Sequence, residues 1–206
     1  MKPASTIEPG DHLIGPNAAI QLARVLDARD RQATNAIFID AGLGDWLLRP
    51  PNEMIPQGSV IRLHSSLRAQ LGSAVAKVVA HEAGRRTGHY ILTHRIPRLA
   101  AMVLRVLPAP LALPLLLKAI YAHAWTFAGS GQVELGQRRL FIHDNPLAQD
   151  RGATEPACDW HTGVFEVLIG SLVAPSAHVR ETRCCAMGDK CCMFEIELKP
   201  GEVAPR

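Results

Sequence analysis

The stretch His178-Val-Arg-Glu-Thr-Arg-Cys-Cys-Ala-Met-Gly-Asp-Lys-Cys-Cys-Met-Phe-Glu-Ile-Glu-Leu198 decides the architecture. It reads as two strands, His178 to Cys184 and Lys190 to Leu198, joined by the turn Ala186-Met-Gly-Asp189. If the turn sets Cys185 opposite Cys191, then Cys184 lies opposite Cys192 and both point to the same face. On the second strand that face also carries Phe194, Ile196 and Leu198, while Cys191, Met193, Glu195 and Glu197 point away. Cys184 and Cys192 are therefore the inward pair.

Upstream of this hairpin, Ala157 to Val173 reads as a helix that stops before Pro175. Two more strands precede it, Gln132 to Gln137 and Arg139 to His143, the second closed by Asp144-Asn-Pro146. Everything before Gly129-Ser-Gly131 has helical character. Pro16 to Asp30 carries Ile20, Leu22, Ala23, Val25 and Leu26 as an amphipathic helix, and Asn35 to Leu48 reads as a second, ended by Pro50-Pro51. A longer helix starts after Gly58, runs to about Thr93 and carries Leu67, Leu71, Val75, Val78 and Val79 at helical spacing. Its second half holds Gly84 and Gly88, one turn apart, which allow another backbone or a flat ligand to approach closely, helix packing being the more ordinary use. Leu99 to Phe127 is almost purely aliphatic, but Pro108, Pro110 and Pro114 exclude a single straight helix. Such a segment has to be buried, form a dimer interface or line an apolar pocket. Helices followed by ββαββ, without strand–helix alternation, predict an α+β fold: an antiparallel sheet with helices packed on it. Residues 1–206 read as one domain with an N-terminal helical extension and a metal-bearing subregion at 157–198.

Composition narrows the function. At 48% hydrophobic and 20% charged residues the chain is an ordered globular protein. Met1 to Gly10 lacks the features of a secretory signal. The longest strongly apolar uncharged stretch, Val106 to Leu117, falls short of the roughly 20 residues a membrane span needs. A cytoplasmic location follows, where five cysteines serve metals or chemistry more often than disulfides. The formal charge of +3 is mild and scattered, which argues against a nucleic-acid partner. Basic pairs such as Arg85-Arg86 and Arg138-Arg139 read as solvated faces.

Cys158 stands at a helix start, where the helix dipole favours the thiolate that zinc binds. With Cys184 and Cys192 it makes three thiolates that want a fourth ligand, and Glu181, His178 and Cys185 are near. Spacing does not choose among them. Strict alternation puts Glu181 on the face opposite Cys184, so its use requires a bulge or a strand end between them. A hairpin disulfide and buried free thiols are the competing readings.

Cys158-Asp-Trp-His-Thr-Gly163, Glu181-Thr-Arg-Cys184 and Met187-Gly-Asp-Lys-Cys-Cys192-Met-Phe194 together resemble the 4-vinyl-reductase domain family, which includes the phenol-sensing domains of some bacterial transcription activators. The resemblance implies a structural Zn2+ held by Cys158, Glu181, Cys184 and Cys192, an antiparallel sheet with packed helices, and often a homodimer. From about Gly15 to Leu198 the chain is also similar to a bacteriochlorophyll-biosynthesis family associated with 8-vinyl reduction of divinyl protochlorophyllide. That implies a Mg-tetrapyrrole ligand, pathway enzymes as partners, and at most a peripheral place at the photosynthetic membrane.

The residues qualify the implied activity. No GxGxxG follows a strand, the lone Gly42-Leu-Gly44 is too weak, and a zinc with four protein ligands has no open position. The chain is therefore expected to carry or present a tetrapyrrole, in a pocket formed by the Gly84–Gly88 helix and the proline-rich segment. His81, His89 or His123, the last beside Trp125, is the candidate axial ligand. The alternatives are a reductase, or reductase subunit, fed by an external electron donor, and a stand-alone small-molecule sensor.

Overall fold

A computed structural model describes residues 12–149 and 152–198. The Met1 to Gly10 segment, read as carrying no secretory signal, lies outside them. Strand β1 (Leu13–Ile14) precedes helix α1 (Asn17–Asp27), which buries Ala18, Ala19, Leu22, Val25 and Leu26. Helix α2 (Arg31–Asp40) begins four residues before the expected Asn35 because the Asp30 side chain accepts the N–H groups of Gln32 and Ala33. It also ends earlier, since Gly42 at φ 72° turns the chain before the short α3 (Asp45–Leu48). Gly42-Leu-Gly44 thus makes a helix–helix turn. Strand β2 (Ile55–Pro56) pairs antiparallel with β1, a contact too short to leave a periodic signal.

Helix α4 (Gln57–His94) is broken at Gly72, whose φ of 73° and ψ of 160° lie outside helical space. The break resets the helical phase. Leu67 and Val79 are buried as expected, but Val75 and Val78, expected on the same stripe, are exposed. Helices α5 (Arg98–Val106) and α6 (Ala109–Ala122) are separated at Leu107-Pro108. Pro110 sits in the first turn of α6, where a missing N–H costs nothing, and Pro114 is carried inside it.

Strands β3 (Gln132–Leu135), β4 (Arg139–His143), β5 (His178–Arg183) and β6 (Cys191–Glu197) form one antiparallel sheet in the order β3-β4-β6-β5. The fold is the expected α+β, helices first and ββαββ after. Helix α7 (Asp159–Leu172) buries nine of its fourteen residues because it runs between α4 and the sheet. Toward the sheet, Phe165 meets Phe194 edge-on at 5.2 Å between ring centroids. Toward α4 the contact is made by backbone. A Cβ at Gly84 would fall on the Trp160 carbonyl, one at Gly163 on the His81 carbonyl, and one at Gly88 would meet the Val167 side chain at 2.8 Å. The close approach that Gly84 and Gly88 permit is thus taken by α7, the helix-packing use of these glycines.

Candidate metal centre

Three elements deliver the four expected ligands to one point. Cys158 is the residue that starts α7, Glu181 lies on β5, Cys184 follows the end of β5, and Cys192 lies on the central strand β6. The hairpin register is decisive. Glu181 pairs with Phe194, yet Arg183 pairs with Met193, so Thr182 is an extra residue in β5. This is the bulge that strict alternation demanded, and it brings Glu181 and Cys184 to the same inward face as Cys192. Cys185 is half-buried, while Cys191 lies buried on the opposite side of β6.

The sulfur atoms of Cys158, Cys184 and Cys192 stand 3.4 to 4.0 Å apart, and all four ligand atoms, one carboxylate oxygen included, lie within 4.8 Å of one another. Those separations are too long for a disulfide, and the five cysteines are free thiols. They do match the edge of a tetrahedron of zinc–sulfur bonds, about 3.8 Å for bonds of about 2.3 Å. Glu181 supplies the second test. Its Oε2 accepts the Cys158 N–H at 2.8 Å, but Oε1 is buried without a hydrogen-bond partner. A buried carboxylate oxygen left alone is costly, and a cation at the centre of the cluster removes that cost. The donor set therefore fits a metal ion with four protein ligands.

The electrostatics agree. Burial pushes the Cys158 thiol well up, reversing the expectation that its helix start favours the thiolate. Burial, with the negative Cys184 beside it, raises Glu181 to about 8. Cys184 is drawn down by hydrogen bonds from its two neighbouring thiols. Without a cation the cluster keeps one negative charge and resists the others; a divalent ion reverses that balance.

Sequence reasoning missed the groups that hold the sulfurs. Asn145 is buried, and its Nδ2 donates to Cys158 Sγ at 3.2 Å and Cys192 Sγ at 3.5 Å. Its Oδ1 is fixed by the Leu147 N–H at 3.1 Å. The Cys185 N–H also points at Cys192 Sγ, 3.4 Å away, and Asp189 accepts the Cys184 N–H at 2.9 Å. Asn145 follows Asp144, whose φ of 48° bends the chain out of β4. The sequence reads as a turn there, but nothing in it aims the amide at sulfur.

The residues expected at a pigment site are dispersed. His81 lies 3.2 Å from Glu166 of α7, which also accepts from Arg85 at 3.0 Å. His89 is exposed, and His123, exposed at the end of α6, places Nδ1 2.9 Å from the Ala119 carbonyl. Trp125 is exposed beside it. One cavity of about 530 Å³ opens on His81, Lys77, Glu82, Arg86 and Asp159. A second, of about 580 Å³, lies between α4 and the 152–157 loop. It is lined mainly by small apolar groups, including Ala76, Ala80, Ala153 and Ala157, with Arg68 and Lys77 among its charged residues.

An antiparallel sheet, a helix laid on it and a cluster of three cysteines and one glutamate at their junction define the class: residues 139–198, from the start of β4 through all four ligands, match the vinyl-4-reductase (V-4-R) domain. Over its greater length the chain is 41% identical to the bacteriochlorophyll synthase 23 kDa chain of Cereibacter sphaeroides, covering 90% of each. It is 39% identical to the protein of the same name from Rhodobacter capsulatus, covering 93% of this chain and 90% of that one. The chain belongs to this family.

Proposed function

We propose that this protein serves bacteriochlorophyll biosynthesis by binding a Mg-tetrapyrrole intermediate and presenting it to a pathway enzyme, with a structural zinc ion holding its C-terminal fold. The observation that carries the pathway is the likeness to bacteriochlorophyll synthase 23 kDa chains over nine-tenths of the sequence. Zinc is the choice among metals because three thiolates and one carboxylate at tetrahedral spacing suit a borderline-soft ion. Four protein ligands leave it no open coordination position, so its part is to join α7 to the hairpin.

The ligand class follows from what the protein offers: the second cavity is walled largely by alanines, and Arg68 and Lys77 are placed to meet a carboxylate edge. A flat, water-insoluble macrocycle with acidic substituents has that chemistry, and such a molecule needs an escort through water. His81, on the neighbouring cavity, and His123, beside Trp125, are the axial-ligand candidates in this reading. Hydride or electrons for any reduction come from a partner.

The test mixes purified protein with divinyl protochlorophyllide, with and without NADPH, and follows the Soret band and the pigment mass. A shifted band at unchanged mass is expected. Gain of two hydrogens with NADPH alone would show a self-sufficient reductase, and no shift at all would remove the tetrapyrrole.

A further inference from the structure

Helices α5 and α6 show an apolar surface that nothing in the chain covers. On α5, Leu99, Met102, Val103 and Val106 recur at i, i+3, i+4 and i+7, the spacing of a core-facing stripe. All four are exposed, Leu99 at 74% and Val106 at 70%, while Leu104 is the one buried residue of the helix. Leu111 and Leu115 on α6 extend the surface, and Tyr121 and Trp125, both more than half exposed, stand at its far end.

The charge around this surface has one sign. From Ala83 to Val133 the chain contains no Asp or Glu, but it carries Arg85, Arg86, Arg95, Arg98, Arg105 and Lys118. On α5 the Arg98 and Arg105 positions fall together on one flank of the apolar stripe, where long side chains can lie along it with their charges outward. Arg105 donates to the Ser171 carbonyl, and among the described residues no carboxylate pairs with Arg95, Arg98 or Lys118.

We propose that the α5–α6 face docks on an anionic lipid surface, with the aliphatic stripe below the headgroups, the cations among them and Trp125 and Tyr121 at the boundary. An amphipathic helix with a basic flank and aromatic rings at its edge is built to lie in that plane. No helix among the described residues is long and apolar enough to cross a membrane, so the face lies on the bilayer. A second copy of the chain, which the family resemblance suggests, is the competing occupant. A two-fold interface would set this acid-free surface against itself, bringing like charges together with no carboxylate to offset them. An anionic bilayer supplies the missing countercharge.

The experiment uses the zinc-loaded full chain and sedimentation with vesicles of phosphatidylcholine, alone or mixed with phosphatidylglycerol. The protein should sediment with the mixed vesicles, and salt should weaken that association. Replacing Met102→Glu and Val106→Glu together should weaken it at least about tenfold. The Ile39→Glu and Leu48→Glu pair, exposed apolar positions on other helices, should leave it unchanged. Zinc content and melting temperature report whether the variants fold. Independently of them, the unaltered protein should show a blue shift of tryptophan emission on vesicle addition that Trp125→Phe abolishes. Absence of sedimentation and of the emission shift would overturn the proposal, as would a dimer in light scattering that the Met102–Val106 pair dissociates without any vesicle binding.

Discussion

Glu181 condenses the physics of the centre. A buried carboxylate with one oxygen held by the Cys158 N–H and the other without a partner is unfavourable unless a cation completes it. Purified protein should therefore contain about one zinc per chain. Cys184→Ser should lose the metal and roughly 3 to 5 kcal/mol of stability, whereas Cys185→Ser and Cys191→Ser, which remove no ligand, should keep zinc with small losses. Metal analysis beside denaturant melts separates these cases, and full zinc in Cys184→Ser would refute the ligand set. Asn145→Ala removes the amide from two sulfurs without touching a ligand, and competition with a chromophoric chelator should show zinc affinity about 10- to 100-fold weaker.

His161 gives the same neighbourhood a pH dependence. Burial among Phe127, Phe165 and Phe194 lowers its pKa to about 4. Because the folded value lies below the unfolded value of about 6.5, the unfolded chain binds the proton more readily between them. The stability of the neutral ring is complete above the unfolded value and is lost as pH falls through that window, on the order of 3 kcal/mol by pH 4. His161→Phe should flatten the slope of stability against pH in urea melts between pH 7 and 5.

Among the elements, the α4–α7 crossing is the tightest joint, because three glycines let backbone meet backbone. Gly84→Ala or Gly163→Ala places a methyl group on a carbonyl of the facing helix, and neither backbone can yield cheaply. Each should cost roughly 2 to 4 kcal/mol in chemical denaturation. Gly72→Ala has open space around it and fails only on its positive φ, so its cost should be nearer 1 kcal/mol. A Gly163→Ala protein as stable as the parent would mean that the helices are not so closely apposed.

Across the molecule, the metal links the start of α7 to both strands of the last hairpin, and α7 in turn carries α4. Chelation should therefore loosen the C-terminal layers together. Removing zinc should lower the melting temperature by about 10 °C, the equivalent of roughly 3 kcal/mol for a chain of this size. Far-UV circular dichroism should retain most of its helical signal, since α1, α2 and α4 bury their faces without touching the ligands. Loss of all helical signal on chelation would show that the N-terminal layer depends on the centre too.

Period-two alternation and turn residues are local, and they placed β4, β5, β6 and α7 within two residues of their ends while leaving the inward pair Cys184 and Cys192 readable from the hairpin alone. The need for a bulge beside Glu181 was legible as well, because only an extra residue brings positions 181 and 184 to one face. Asn145 was not legible: its role lies in two hydrogen bonds to sulfurs 13 and 47 residues away, and an Asn before Pro looks the same wherever its amide points. Gly84 and Gly88 announced a close approach, but an absent side chain does not say which neighbour fills the space, and packing gave it to α7. Nor did the aliphatic composition of Leu99 to Phe127 say how much of it would be covered. Hydrophobicity is a property of the residue; burial depends on whether another element arrives, and for the outer faces of α5 and α6 none in this chain does.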